Sequence, residues 1–129
     1  MLVGVPSEIK AQESRVGLTP HSVQQLVKHG HQVIVEDQAG YEAGFDNNDY
    51  KIAGAKIVKE ASDVFSDAEM IVKVKEPLQN ETGMLKENQI LFTYLHLAAA
   101  PALTKDLIKS KSICIAYETV TDERNRLPL

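Results

Sequence analysis

Gln89-Ile90-Leu91-Phe92-Thr93-Tyr94-Leu95, then Pro101 to about Ile108, then Ser112-Ile113-Cys114-Ile115-Ala116-Tyr117, is the stretch that decides the fold. Two runs rich in β-branched and aromatic residues read as strands. The segment between them opens on a proline, which suits the first position of a helix. Two strands joined by a helix of this length form a parallel pair with a right-handed crossover. Both runs are apolar almost throughout, as expected of strands covered by helices on both faces.

The same alternation extends back to the N-terminus. Leu2-Val3-Gly4-Val5 reads as a first strand stopped by Pro6. Thr19 can cap a helix that starts at Pro20, carries Val23, Leu26 and Val27 on one face, and stops at Gly30. Gln32 to Glu36 is a second strand, Asp46 to Ala53 a short helix and Lys56 to Val58 a minor strand. Ser62 to Phe65 reads as a helical turn and Met70 to Lys75 as a third main strand ended by Pro77. Thr82 to Leu85 reads as another turn of helix, and Glu118 to Arg126 as a polar tail. The expected fold is α/β, a doubly wound, mostly parallel sheet of Rossmann-like or flavodoxin-like type.

Composition limits the function. With 129 residues, 43% hydrophobic and 25% charged, the chain is long enough for one domain with its own core. A net charge of −4 and the lack of Trp argue against nucleic acid as a partner. The apolar N-terminal stretch is too short for a signal peptide, and no apolar run reaches the ~20 residues of a spanning helix. The expectation is a cytoplasmic chain with no membrane partner. Cys114 is the single cysteine, so an intrachain disulfide is excluded and it reads as a small core residue. No metal-ligand spacing links His21, His29, His31 and His96, and no metal is expected. Neither G-x-G-x-x-G nor G-x-x-x-x-G-K-[ST] occurs, so the chain is expected to carry no dinucleotide site of its own.

Ligands of such sheets bind beyond the carboxyl ends of the strands, which directs attention to the residues there. Arg15 follows the first strand, and a guanidinium holds a planar carboxylate through two parallel bonds. The other reading is a solvated loop arginine, or one paired with Glu8 or Glu13. Lys73 and Lys75 share one strand face, with Lys75 nearer the crevice; an edge-strand charge is the other reading of Lys75. His96 ends the next strand, with Tyr94 on the same face, and an imidazole suits proton transfer; a hydrogen-bonded structural histidine is the other reading. Glu118 follows the last strand, either as a solvated carboxylate or as an acceptor that orients a cation or a backbone amide. Together Arg15, Lys75 and His96 suit a small carboxylate that also bears a carbonyl.

The chain also resembles a known family. The matching motifs are Val3-Gly4-Val5-Pro6 with Glu8, Glu13-Ser14-Arg15-Val16 with Thr19-Pro20, Gly30-His31-Gln32-Val33, and Ala53-Gly54-Ala55. They continue with Val72-Lys73-Val74-Lys75-Glu76-Pro77, Leu91-Phe92-Thr93-Tyr94-Leu95-His96-Leu97-Ala98, and Ala116-Tyr117-Glu118-Thr119-Val120. From residue 1 to 129 the chain is similar to the N-terminal substrate domain of the alanine dehydrogenases, a family shared with the transhydrogenase α subunit. The Lys-Glu-Pro and Leu-His-Leu patterns point to the dehydrogenase branch, with saccharopine dehydrogenase as a more distant enzymatic alternative.

The resemblance implies part of an oxidoreductase for reversible NAD-dependent deamination of L-alanine to pyruvate and ammonia. It implies that Arg15 binds the substrate carboxylate, Lys75 the carboxylate or carbonyl oxygen, and that His96 is the acid-base residue at the carbinolamine step. Tyr94 would support Arg15, with Glu76 and Glu118 around them. NAD would be held by a domain not present in this chain, and the full-length protein would be a homo-oligomer, a hexamer in the family. This segment alone is then expected to be inactive and to expose apolar surface. A stand-alone ligand-binding or assembly domain is the non-enzymatic alternative.

Overall fold

In the computed structural model, which describes residues 1–128, six parallel strands run in the order β3-β2-β1-β4-β5-β6. They are β1 (Leu2–Val5), β2 (Gln32–Glu36), β3 (Lys56–Val58), β4 (Met70–Val72), β5 (Ile90–Thr93) and β6 (Ile113–Ala116). The helices are α1 (Pro20–Lys28), α2 (Asn47–Ile52), α3 (Ala61–Asp67), α4 (Gln79–Thr82) and α5 (Pro101–Ser110). Leu129, the last residue of the span matched above, lies outside the described residues.

The expected α/β sheet is present, and its order explains why the strands are apolar on both sides. Alternate residues of the strands on the β3-β2-β1-β4 side feed two cores. Val3, Val5, Val33, Val35 and Val72 pack with Val23 of α1 and Tyr50 of α2. Ile34, Ile71 and Leu91 pack on the opposite face with Val64 and Phe65 of α3 and Leu107 of α5. Gly4 of β1 lets α3 approach: a Cβ there would lie 2.6 Å from Val64 Cγ1 and 2.7 Å from Ala68 Cβ. Strand β6 is the outer strand on one side and leaves Ile113 and Ile115 partly exposed. Cys114 between them packs half-buried against the second core.

Local signals held where local chemistry sets the boundary. The Thr19 hydroxyl accepts the Ser22 N–H at 3.3 Å, Pro20 opens α1, and Gly30 adopts φ +84° just after it. Asp46 and Asp49 form a reciprocal capping box at the start of α2.

Most element boundaries differ from expectation by a residue or two, α3 running Ala61–Asp67, for example, and three of the differences bear on the site. Strand β4 ends at Val72 instead of Lys75, although two ladder-like bonds continue past it, Lys73 N–H to Phe92 O at 3.1 Å and Tyr94 N–H to Val74 O at 3.2 Å. Strand β5 covers Ile90–Thr93, inside the longer run expected. Helix α4 covers Gln79–Thr82, ahead of the expected Thr82 to Leu85, because Glu81 turns back to accept the Leu78 N–H at 2.9 Å.

The strand order reverses direction between β1 and β4, which opens a crevice at their carboxyl ends. The loop after β1 folds over the end of β4. Gly17 makes this approach feasible, since a Cβ there would lie 2.4 Å from Val72 O and 2.9 Å from Val72 C. Among the described residues no helix is long and apolar enough to cross a membrane.

Candidate functional site

Two carboxylates hold the backbone of the crest, and each grips two successive N–H groups. Glu8, on the loop after β1, accepts the Val74 N–H at 2.7 Å and the Lys75 N–H at 3.2 Å. Glu118, after β6, accepts the Leu95 N–H at 3.1 Å and the His96 N–H at 2.7 Å. Each grip ends on a residue singled out by sequence, Lys75 in one case and His96 in the other. Of the two sequence readings of Glu118, the structure selects the backbone acceptor.

Glu8 is also tied to the interior. Lys73 is 1% exposed and places its ammonium 3.4 Å from Glu8 Oε2 and 2.7 Å from Glu81 Oε1. The costly buried lysine is therefore paired twice. The triad joins the loop after β1, the end of β4 and helix α4. The Lys75 carbonyl accepts the Thr93 hydroxyl at 2.9 Å, so its peptide is fixed on both sides. Lys75 follows a central strand flanked by β1 and β5, which removes the edge-strand reading of that residue.

His96 adopts φ +50°, ψ +38°, a left-handed conformation that is strained for a non-glycine residue. The Glu118 grip lies directly on that residue. The His96 ring stacks on Tyr94 with centroids 5.8 Å apart and planes 6° apart. Tyr94 in turn meets Tyr117 edge-on at 4.9 Å.

Arg15 is two-pronged on Glu13: Nε donates to Oε1 at 2.8 Å and Nη2 to Oε2 at 2.6 Å. That is the paired reading left open by the sequence, and it uses only one edge of the guanidinium. Glu13 and Arg15 line a cavity of about 130 Å³ with Ser7, Glu8, Gln38 and Glu42; Lys75, Tyr94 and His96 are not part of its lining. The three candidates follow the adjacent strands β1, β4 and β5, and of the three only Arg15 lines this cavity.

Arg15 and Lys75 both act on the Glu13 carboxylate, whereas His96 acts on Glu76 and Glu118. The Glu13 carboxyl is pulled to about 2, mainly by its bond from Arg15, with the Lys75 ammonium contributing. The Arg15 guanidinium is pushed up by the Glu13 bond, with Tyr94 and Glu8 near enough to add to it. The ring contacts of Tyr94 are with His96 and Tyr117. Burial pushes Tyr117 up to about 12, reinforced by Glu8 and Tyr94. Burial alone would raise Glu76, yet its hydrogen bond from Lys10 and the nearby His96 leave it below the usual carboxylate range. Glu118 is lowered in the same way, burial being outweighed by the N–H groups of His96 and Leu95 and by the His96 ring.

The sequence reading missed Glu8 as a structural anchor and left Lys73 unexplained. The one available signal was a lysine inside an apolar strand, which requires a buried carboxylate somewhere in the chain.

Among the described residues no glycine-rich turn of the dinucleotide type follows β1. A pyrophosphate of that class lies on a glycine-rich turn at a helix N-terminus directly after a strand. Here β1 leads into a long loop, α1 starts only at Pro20, and its cap is filled by Thr19. Glu8 and Glu13 on the loop after β1, Glu36 at the end of β2 and Glu42 beyond it gather negative charge at this end of the sheet. Among the described residues no three His, Cys, Asp or Glu side chains form a metal site.

Comparison with known proteins gives a consistent result. The family model described as alanine dehydrogenase/PNT, N-terminal domain, matches residues 4–129. The chain is 53% identical over 129 residues to an alanine dehydrogenase of Staphylococcus haemolyticus and 52% identical to one of Methanococcus maripaludis. All of this chain is covered in both, against 34% and 35% of those proteins, so it spans about a third of the length of the curated relatives it matches. A solved L-alanine dehydrogenase superposes with a TM-score of 0.95 at 53% identity, covering 99% of this chain and 35% of that one.

Proposed function

The chain belongs to the alanine dehydrogenase/PNT N-terminal domain family, and from that premise we propose that it supplies the substrate-holding crest of an NAD-dependent alanine dehydrogenase. The reaction is the reversible conversion of L-alanine to pyruvate and ammonia. The observation that carries the reading is the paired carboxylate grip, which fixes Lys75 and His96 at neighbouring strand ends beside the Arg15 fork.

Arg15 holds the substrate carboxylate with the edge that Glu13 leaves free. Lys75 places its ammonium on the carbonyl oxygen and stabilises the negative charge that grows there as ammonia adds to the carbonyl carbon. His96 moves the protons at that oxygen. One proton makes it the hydroxyl of the carbinolamine; the ring then takes a proton from the added nitrogen, which bonding to carbon has made an ammonium, and returns it to the hydroxyl, which leaves as water and gives the iminium. In the deamination direction the same ring accepts the proton of the attacking water. Tyr94 stacks on His96 and keeps the ring in the plane from which it can reach the substrate. The dinucleotide is assigned to the portion of the relatives that this chain does not span, and no residue here is given a part in holding it. Homo-oligomeric assembly of the full-length protein and a cytoplasmic setting follow from the same family reading.

The test is NADH consumption with pyruvate and ammonium by the full-length native protein. His96→Ala should nearly abolish kcat and weaken pyruvate binding less than loss of Arg15 does. Arg15→Lys should raise the KM for pyruvate, because an ammonium cannot form the two-pronged bond. A normal kcat in the His96 variant would remove it from the proton-transfer role, and an unchanged KM in the Arg15 variant would make that residue structural.

A further inference from the structure

We infer that Glu13 is a positioning residue for substrate: it fixes the Arg15 fork by one edge so that the other edge faces the incoming carboxylate. The inference rests on the proposed role of Arg15 and adds a residue to it.

A guanidinium carries five N–H donors in a rigid plane. Glu13 takes two of them, from Nε at 2.8 Å and Nη2 at 2.6 Å, and also accepts the Arg15 backbone N–H at 2.9 Å. One carboxylate therefore fixes both the start and the end of the same side chain. Both Nη1 hydrogens and the second Nη2 hydrogen remain, and the Nη1/Nη2 edge is itself two-pronged. Exposure follows this division: the Arg15 side chain is 60% exposed, whereas that of Glu13 is 6% exposed.

The surroundings show why such fixing is needed. Glu8 and Glu42 line the same small cavity, so a mobile arginine would have several carboxylates to visit. A long arginine side chain also loses rotamer freedom when it grips a ligand. Holding the plane beforehand removes much of that loss from substrate binding.

The experiment compares pyruvate KM, NADH KM and kcat in the full-length native protein for the parent, Glu13→Gln, Arg15→Ala and the double variant. An amide would set an NH2 against Nη2–H and lose the second prong. The inference predicts a pyruvate KM raised about tenfold by Glu13→Gln, equivalent to ~1.4 kcal/mol, with kcat within about twofold and NADH KM unchanged. It predicts that the double variant is no worse than Arg15→Ala alone, because Glu13 acts only through Arg15. An unchanged or lowered KM in Glu13→Gln overturns it, the lowered value marking Glu13 as a competitor for the fork. A further tenfold loss in the double variant also overturns it, since Glu13 would then act independently. If Arg15→Ala leaves pyruvate KM unchanged, the carboxylate role of Arg15 fails and this inference with it. If only Glu13→Gln is silent, the role of Arg15 stands and this inference alone fails.

Discussion

Replacing Glu118 by Gln tests whether the His96 backbone must be held for the site to work. The carboxylate accepts N–H groups from Leu95 and His96 at 2.7–3.2 Å. Bonds to a charged acceptor contribute about 1.5–3 kcal/mol each, and bonds to a neutral one about 0.5–1.5 kcal/mol. An amide keeps one accepting oxygen and turns its NH2 toward a donor. Partial exposure of the grip puts the loss at the low end, about 1–2 kcal/mol. The left-handed conformation of His96 costs a similar amount, about 1–2 kcal/mol. The variant therefore removes enough to let residues 94–97 relax out of it. A misplacement of that free energy lowers kcat roughly 5- to 30-fold, read as NADH consumption with saturating pyruvate and ammonium in the full-length native protein. The pH dependence carries a sign. The folded carboxyl of Glu118 lies below its ordinary value, burial being outweighed by the His96 and Leu95 N–H groups. Its contribution is fully present above the unfolded pKa and is lost as pH falls through the folded one. The parent should lose activity on that acid limb, and Glu118→Gln should lack the limb. A variant with kcat within twofold of the parent would refute the reasoning.

Two further outcomes concern the base of the site. Lys73→Met leaves Glu8 and Glu81 buried without their cation and should cost about 3–5 kcal/mol, read by urea unfolding of the native protein; a change under about 1 kcal/mol would mean that the triad is not held as a charged unit. Gly17→Ala places a Cβ 2.4 Å from Val72 O, which should lift the loop carrying Arg15 and raise the pyruvate KM with little change in the NADH KM; an unchanged pyruvate KM would show that loop position does not set substrate binding.

How far the sequence was legible depended on the range of the deciding contacts. The ends of α1 were readable because Thr19, Pro20 and Gly30 act within one turn. The apolar strands were readable because burial on both faces leaves no polar alternation. The early end of β4 and the position of α4 were not. Strand β4 ends where Lys73 meets Glu8, sixty-five residues earlier, and α4 is placed by Glu81, which accepts the Leu78 N–H and also pairs with Lys73; nothing near Glu8 marks it as buried. Arg15, Lys75 and His96 are singled out by sequence because each follows a strand, and a parallel sheet sets its strand ends on one side. The partner of Arg15 was not decided, since Glu8 and Glu13 stand in the same loop and only geometry chooses between them. Glu118 was left open for the same reason: a carboxylate after a strand can face solvent or turn back onto the β5 end, and only the fold shows that it does the latter.

The most direct measurement is a crystal structure of the full-length native protein with pyruvate bound. The account predicts the pyruvate carboxylate two-pronged on the Nη1/Nη2 edge of Arg15, the keto oxygen at hydrogen-bond distance from Lys75 Nζ, and the His96 ring beside that oxygen. Pyruvate seated away from these three side chains, with the crest closed by the protein's own groups, would contradict it.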